Sequence, residues 1–161
     1  MKKLILIITT ILFANCSTET PTQFSDKALN DTFTSINNTE LTFQEIITKY
    51  KGKKIVIDIW ASWCGDCIKG MPKVVQLQKG NPNVVFLFLS LDKTIADWKS
   101  GIKKYHVKGE HYFIKSGWEG DFGSFVNIDW IPRYMVIDAQ GKIALFKAVK
   151  ANDTKIKEVL N

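Results

Sequence analysis

The tightest constraint on this chain is the stretch Ile55–Pro72, IVIDIWASWCGDCIKGMP. Ile55 to Ile59 is a short apolar run rich in β-branched residues, the mark of a buried strand. A small-residue turn, Ala61-Ser62, precedes Cys64-Gly65-Asp66-Cys67, and a helical pattern follows. Cysteines at i and i+3 lie on one helix face, a turn apart, near enough to close a small disulfide. The first of them falls at the helix N-terminus, where unpaired amides and the macrodipole favour a thiolate. Such a pair can attack a disulfide with one sulfur and resolve the mixed intermediate with the other.

The rest of the composition fits that reading. A chain of 161 residues suits one domain with a sizeable core, and 45% hydrophobic with 24% charged residues is a globular balance. The three cysteines, Cys16, Cys64 and Cys67, are too few for a disulfide-stapled scaffold. A bridge across two intervening residues would also close too short a loop to staple much. Net charge is +6, part of it on Lys2 and Lys3, and no basic cluster or basic helix face stands out. Nucleic acid is therefore not an expected partner.

Met1-Lys2-Lys3 followed by the apolar run Leu4–Phe13 has the layout of an export signal, too short to span a bilayer. Phe13-Ala14-Asn15-Cys16 looks like the lipobox of bacterial lipoproteins, with Asn15 where a small residue is usual. That resemblance implies cleavage before Cys16 and lipidation of its thiol as a membrane anchor. An ordinary secretory signal with an incidental cysteine is the other open reading, and both mean export. Residues 1–15 are thus assigned to a signal peptide, and 16–30 to a lipidated cysteine and flexible tether. Residues 31–161 are assigned to the folded domain.

Within that domain, Phe33–Ile36 and Glu40–Thr42 read as extended pieces about an Asn37-Asn38 turn. Thr42 with Glu45 opens a helix through Tyr50, with Phe43, Ile46 and Ile47 inward. The cysteine helix is expected over Gly65–Gly80, with Ile68, Met71, Val74, Val75 and Leu77 buried and a kink at Pro72. Val84–Leu91 suits an inner parallel strand, followed by a helix from Thr94 to Tyr105 and a short strand at His111–Ile114. Ser116–Asn127 reads as loop with a helical turn at Phe122–Val126. Arg133–Asp138 and Lys142–Phe146 form a hairpin, and Asn152 or Asp153 caps a closing helix, Thr154–Leu160. The order implies an α/β fold, a mixed central sheet with helices on both sides.

With these pieces placed, the chain resembles the thioredoxin-like superfamily, and within it the membrane-tethered TlpA/ResA-like thiol–disulfide oxidoreductases of bacterial envelopes. The resemblance rests on Trp60-Ala61-Ser62-Trp63-Cys64-Gly65-Asp66-Cys67, Met71-Pro72, and Trp130-Ile131-Pro132 running into Tyr134–Asp138 and Gly141-Lys142-Ile143. It implies a thioredoxin fold with a helical insertion between the cysteine helix and Pro132. It implies Cys64 as exposed nucleophile, Cys67 as buried resolving thiol and a redox-active disulfide in place of any cofactor. Pro132 matches the family's cis-proline, and Ile131 the residue whose backbone pairs with substrate. Trp63, Gly65 and Asp66 would support the site, with Trp60 either shielding the disulfide or in the core. Trp98 and Trp118 are assigned to packing. Asp58 matches the buried acid that takes a proton from the resolving thiol. Its alternative is a carboxylate at the strand end paired with Lys53 or Lys54.

Two positions depart from the family. Asp66 stands where Pro is usual, and a carboxylate there opposes the Cys64 thiolate or simply favours the helix N-terminus. Gly70 stands where the ResA-like branch has an acid, so specificity for cytochrome c maturation does not carry over. The expected partners are disulfide-containing exported proteins, a membrane electron donor and, through Cys16, the membrane itself; a monomer is expected. A peroxiredoxin-type thiol peroxidase and a copper- or zinc-binding envelope module are the competing readings. Against them stand the close cysteine pair and the lack of ligand spacing between His106 and His111.

Overall fold

In the computed structural model, which describes residues 20–161, the inner strand β3 (Ile55–Trp60) has all six residues buried. It is hydrogen-bonded on both edges, to β4 (Val85–Ser90) in parallel and to β6 (Arg133–Ile137) antiparallel. The full sheet runs β2-β1-β5-β4-β3-β6-β7, with β1 Thr32–Ser35, β2 Glu40–Thr42, β5 Glu110–Ile114 and β7 Ile143–Ala148. The expected mixed sheet is present, with parallel pairing confined to β3, β4 and β5.

Two crossovers step the same way along the sheet, through α3 (Gly65–Gly80) and α4 (Ile95–Tyr105), so both helices cover one face. Trp98 of α4, fully buried, packs there against Phe113 at a ring separation of 5.8 Å. The insertion is therefore a helix and a strand, since β5 enters the sheet beside β4. α6 (Thr154–Leu160), capped by Asp153, closes the chain. On the other face lie α1 (Asp26–Asn30), α2 (Phe43–Lys49) and α5 (Asp121–Phe125), gathered around Phe24, Phe33, Phe43 and Phe122. α2 starts with the expected capping box: the Glu45 amide donates to Thr42 Oγ1, and the Thr42 amide to Glu45 Oε2.

Two expectations need correction. The tether assigned to residues 16–30 ends earlier, because the Thr22 carbonyl accepts from the Ile143 amide and Phe24 and Ala28 are buried. α1 lies inside that segment, held by the phenylalanine cluster. Val75, expected on the buried stripe of α3, is 43% exposed, whereas Cys67, Val74 and Leu77 carry the burial. α3 runs over its expected range, Gly65–Gly80, with Pro72 inside it. Residues 1–15 and Cys16 lie outside the described residues.

Candidate active site

Cys64 is the N-cap of α3, and its extended backbone (φ −79°, ψ 102°) turns the sulfur back over the first turn. There Sγ accepts a hydrogen bond from the Cys67 amide at 3.1 Å, the local contact that favours negative charge on this sulfur. Cys64 and Cys67 form a disulfide with a Cα separation of 5.3 Å. Cys64 is not exposed, as the resemblance implied; it is 6% accessible against 1% for Cys67, so the order of access holds inside an enclosed site. Its opening is a groove of about 370 Å³ walled by Trp63, Gly65, Asp66, Trp118, Trp130 and Ile131.

The turn carrying the cysteines is fastened from two sides. Asp92, just past β4, accepts from the Ser62 amide at 3.0 Å, from Ser62 Oγ at 2.6 Å and from Ser90 Oγ at 2.8 Å. From α4, Gly101 lies so close that a Cβ there would run into the Ser62 side chain. Across the groove, the Ile131–Pro132 peptide is cis, and the Ile131 carbonyl oxygen lies 3.6 Å from Cys64 Sγ. Arg133 anchors this loop from a fully buried position. Its guanidinium donates to the Val126 and Asn127 carbonyls and to Asp129, which Lys147 also holds.

Asp58 is 2% exposed, and neither carboxylate oxygen has a hydrogen-bond partner. Burial pushes its carboxyl up to about 8, with the facing Tyr134 hydroxyl acting in the other direction. The strand-end alternative is excluded: the Lys54 ammonium donates instead to the Val159 and Leu160 carbonyls. Asp66 stands at the groove with its side chain half exposed, 3.7 Å from the Lys69 ammonium.

The tryptophans divide differently from the sequence assignment. Trp60 is fully buried core, as is Trp98, while Trp63 and Trp130 stand 55% and 61% exposed at the groove. Trp118, assigned to packing, belongs to the groove wall and is 36% exposed. Its glycine-flanked position in a loop was the available signal. Asp92 and Arg133 also went unassigned, since nothing local shows that they grip the two loops of the site. Among the described residues, no group of three or more His, Cys, Asp or Glu side chains is arranged to hold a metal ion.

A redox-active cysteine pair at a helix N-terminus, facing a cis-proline on this sheet, defines a thioredoxin-fold thiol–disulfide oxidoreductase. Residues 13–160 match the Redoxin family, and the chain belongs to it. It is 28% identical over 123 residues to the thiol-disulfide oxidoreductase ResA of Bacillus thuringiensis subsp. konkukian, covering 73% of this chain and 66% of that protein. The fold is shared with the thioredoxin domain of a thiol-disulfide oxidoreductase from Bacteroides vulgatus. That pair has a TM-score of 0.68 at 17% identity, covering 86% of this chain and 100% of the other. It is shared too with a secreted disulfide oxidoreductase of Mycobacterium tuberculosis, with a TM-score of 0.63 at 19% identity over 84% of this chain and 98% of that one. The Redoxin match and the similarity to ResA put the chain in the TlpA/ResA-like part of the thioredoxin superfamily, whose members work through a disulfide and not a bound cofactor.

Proposed function

We propose that the chain reduces or exchanges disulfides of exported proteins at the cell envelope. The observation that carries this reading is the Cys64–Cys67 disulfide, lying beside the Ile131 carbonyl and opening on an aromatic groove. In the reduced protein, the Cys64 thiolate attacks one sulfur of a substrate disulfide, and the other sulfur leaves as a thiolate. Cys67 gives its proton to Asp58 and attacks Cys64 in the mixed disulfide. The second substrate sulfur then leaves and takes up a proton, so the substrate gains two electrons and the enzyme is left oxidised as its own Cys64–Cys67 disulfide. The backbone at Ile131 aligns an extended substrate segment in a short strand addition, and Trp63, Trp118 and Trp130 cover its apolar side chains.

With dithiothreitol as electron source, the protein is expected to reduce insulin disulfides, and Cys64→Ser to abolish this; undiminished turnover by the variant would end the proposal. Reduced enzyme would be regenerated by a membrane electron donor. Envelope placement is supported by the export-type N-terminus and by the secreted Mycobacterium tuberculosis relative. In fractionated cells the protein should stay with membranes, and Cys16→Ser should release it in soluble form. A wild-type protein found in the soluble fraction would refute the lipid anchor.

A further inference from the structure

Asp58 sits in a row across the sheet with Phe88 on one side and Tyr134 on the other, each its register partner. Partners in register project to the same face. Phe88 is apolar, with His111 stacked behind it at 5.2 Å, so the polar neighbour in this row is Tyr134. Tyr134 is 1% exposed, yet its hydroxyl lies where α3 passes, 3.6 Å from the place a Cβ on Gly70 would occupy. Because Gly70 has no side chain, Tyr134 reaches a second groove, whose walls include Gly70 and Pro132. The charged groups of that groove are Asp66, Lys73, Asp129, Lys147 and Lys150. The tyrosine thus spans the distance from a buried acid with no other partner to a solvent-facing groove beside the cysteine helix.

We propose that Tyr134 is the positioning residue for Asp58: its hydroxyl steadies the carboxylate that receives the Cys67 proton and links it to the groove at Gly70. In the disulfide form the hydroxyl faces Asp58 without completing a hydrogen bond, as suits an acid whose charge appears only during turnover. Burial and the facing carboxylate push the Tyr134 phenol well above its ordinary value, so it stays a proton donor throughout. Loss of the hydroxyl would leave the Asp58 charge without a donor and make it a scarcer base near neutrality.

The inference rests on the resolving-thiol reading above, but the first part of its test needs no substrate. Tyr134→Phe keeps the ring and removes only the hydroxyl. Carboxyl carbon resonances of labelled aspartate follow the Asp58 titration in wild type and variant. The midpoint is expected to rise by about one pH unit in the variant. The pH profile of mixed-disulfide resolution should shift to alkaline pH by the same amount, with the rate recovered at high pH. A midpoint and profile unchanged from wild type would overturn the proposal, as would a uniform loss of rate at every pH. Gly70→Leu, which covers the hydroxyl from the groove, is a second probe and should also raise the midpoint; an unchanged value there counts against the link.

Discussion

Asp58 and Asp92 are carboxylates sunk into the same core, 2% and 5% exposed, on either side of the turn that presents the cysteines. Asp92 is saturated: two serine hydroxyls and a backbone amide donate to it, and its own amide donates to Ser90 Oγ. Asp58 has no hydrogen-bond partner at all. A buried acid with its donors in place is a fastening, since removing it strands those donors. One without donors resists ionisation and holds a proton that it can exchange near neutral pH. On the proposed mechanism, the two positions separate the rigidity of the site from its proton chemistry.

Substitution should separate them as well. Asp58→Asn is expected to slow resolution of the mixed disulfide by about 10²-fold near neutrality. Cys64 attack on the substrate should be nearly unchanged, as read by stopped-flow under single-turnover conditions. Equal slowing of both steps would mean that Asp58 shapes the site and does not move protons. The same variant should also change how stability depends on pH. The folded carboxyl titrates at about 8 and the unfolded one near 3.8, so the native state holds the extra proton between these values. Wild-type stability should therefore fall relative to Asp58→Asn as pH rises across that window, by roughly a few kcal/mol, and level off above it. Denaturant melts at a series of pH values check this.

Asp92→Ala should do the reverse, with little change in the pH profile of exchange. It should lose about 2–4 kcal/mol of stability, a fall in melting temperature on the order of 10 °C. A melting temperature equal to wild type would remove the distinction between the two acids. The smallest effect is expected from the groove wall. Trp118→Ala should raise KM for a disulfide peptide with an aromatic residue beside its cysteine about threefold to tenfold, leaving kcat alone.

Much of the fold was legible because its signals are local. The apolar run at Ile55, the Thr42–Glu45 capping box and the bounds of α3 and α6 all follow from residues close together in sequence. α1 was not legible: the five residues DKALN carry little helical signal of their own, and the segment is held where Phe24, just before it, packs on the distant Phe43 of α2 and Phe122 of α5. The site divides in the same way. Cys64, Cys67 and Pro132 stand in recognisable motifs, whereas Asp92 acts on Ser62 across 30 residues. Tyr134 meets Asp58 only through the pairing of β6 with β3. A hydroxyl in an apolar strand does not show, in one dimension, which buried group it faces.

The most direct measurement is an equilibrium redox titration of the intact domain, with free thiols alkylated and counted by mass. Cys64 and Cys67 should change state together in a single two-electron step near the thioredoxin value of about −270 mV, as expected of a reductase. If the air-oxidised protein instead still offered both sulfurs for alkylation, the pair would not be a redox couple, and the proposed chemistry would be contradicted.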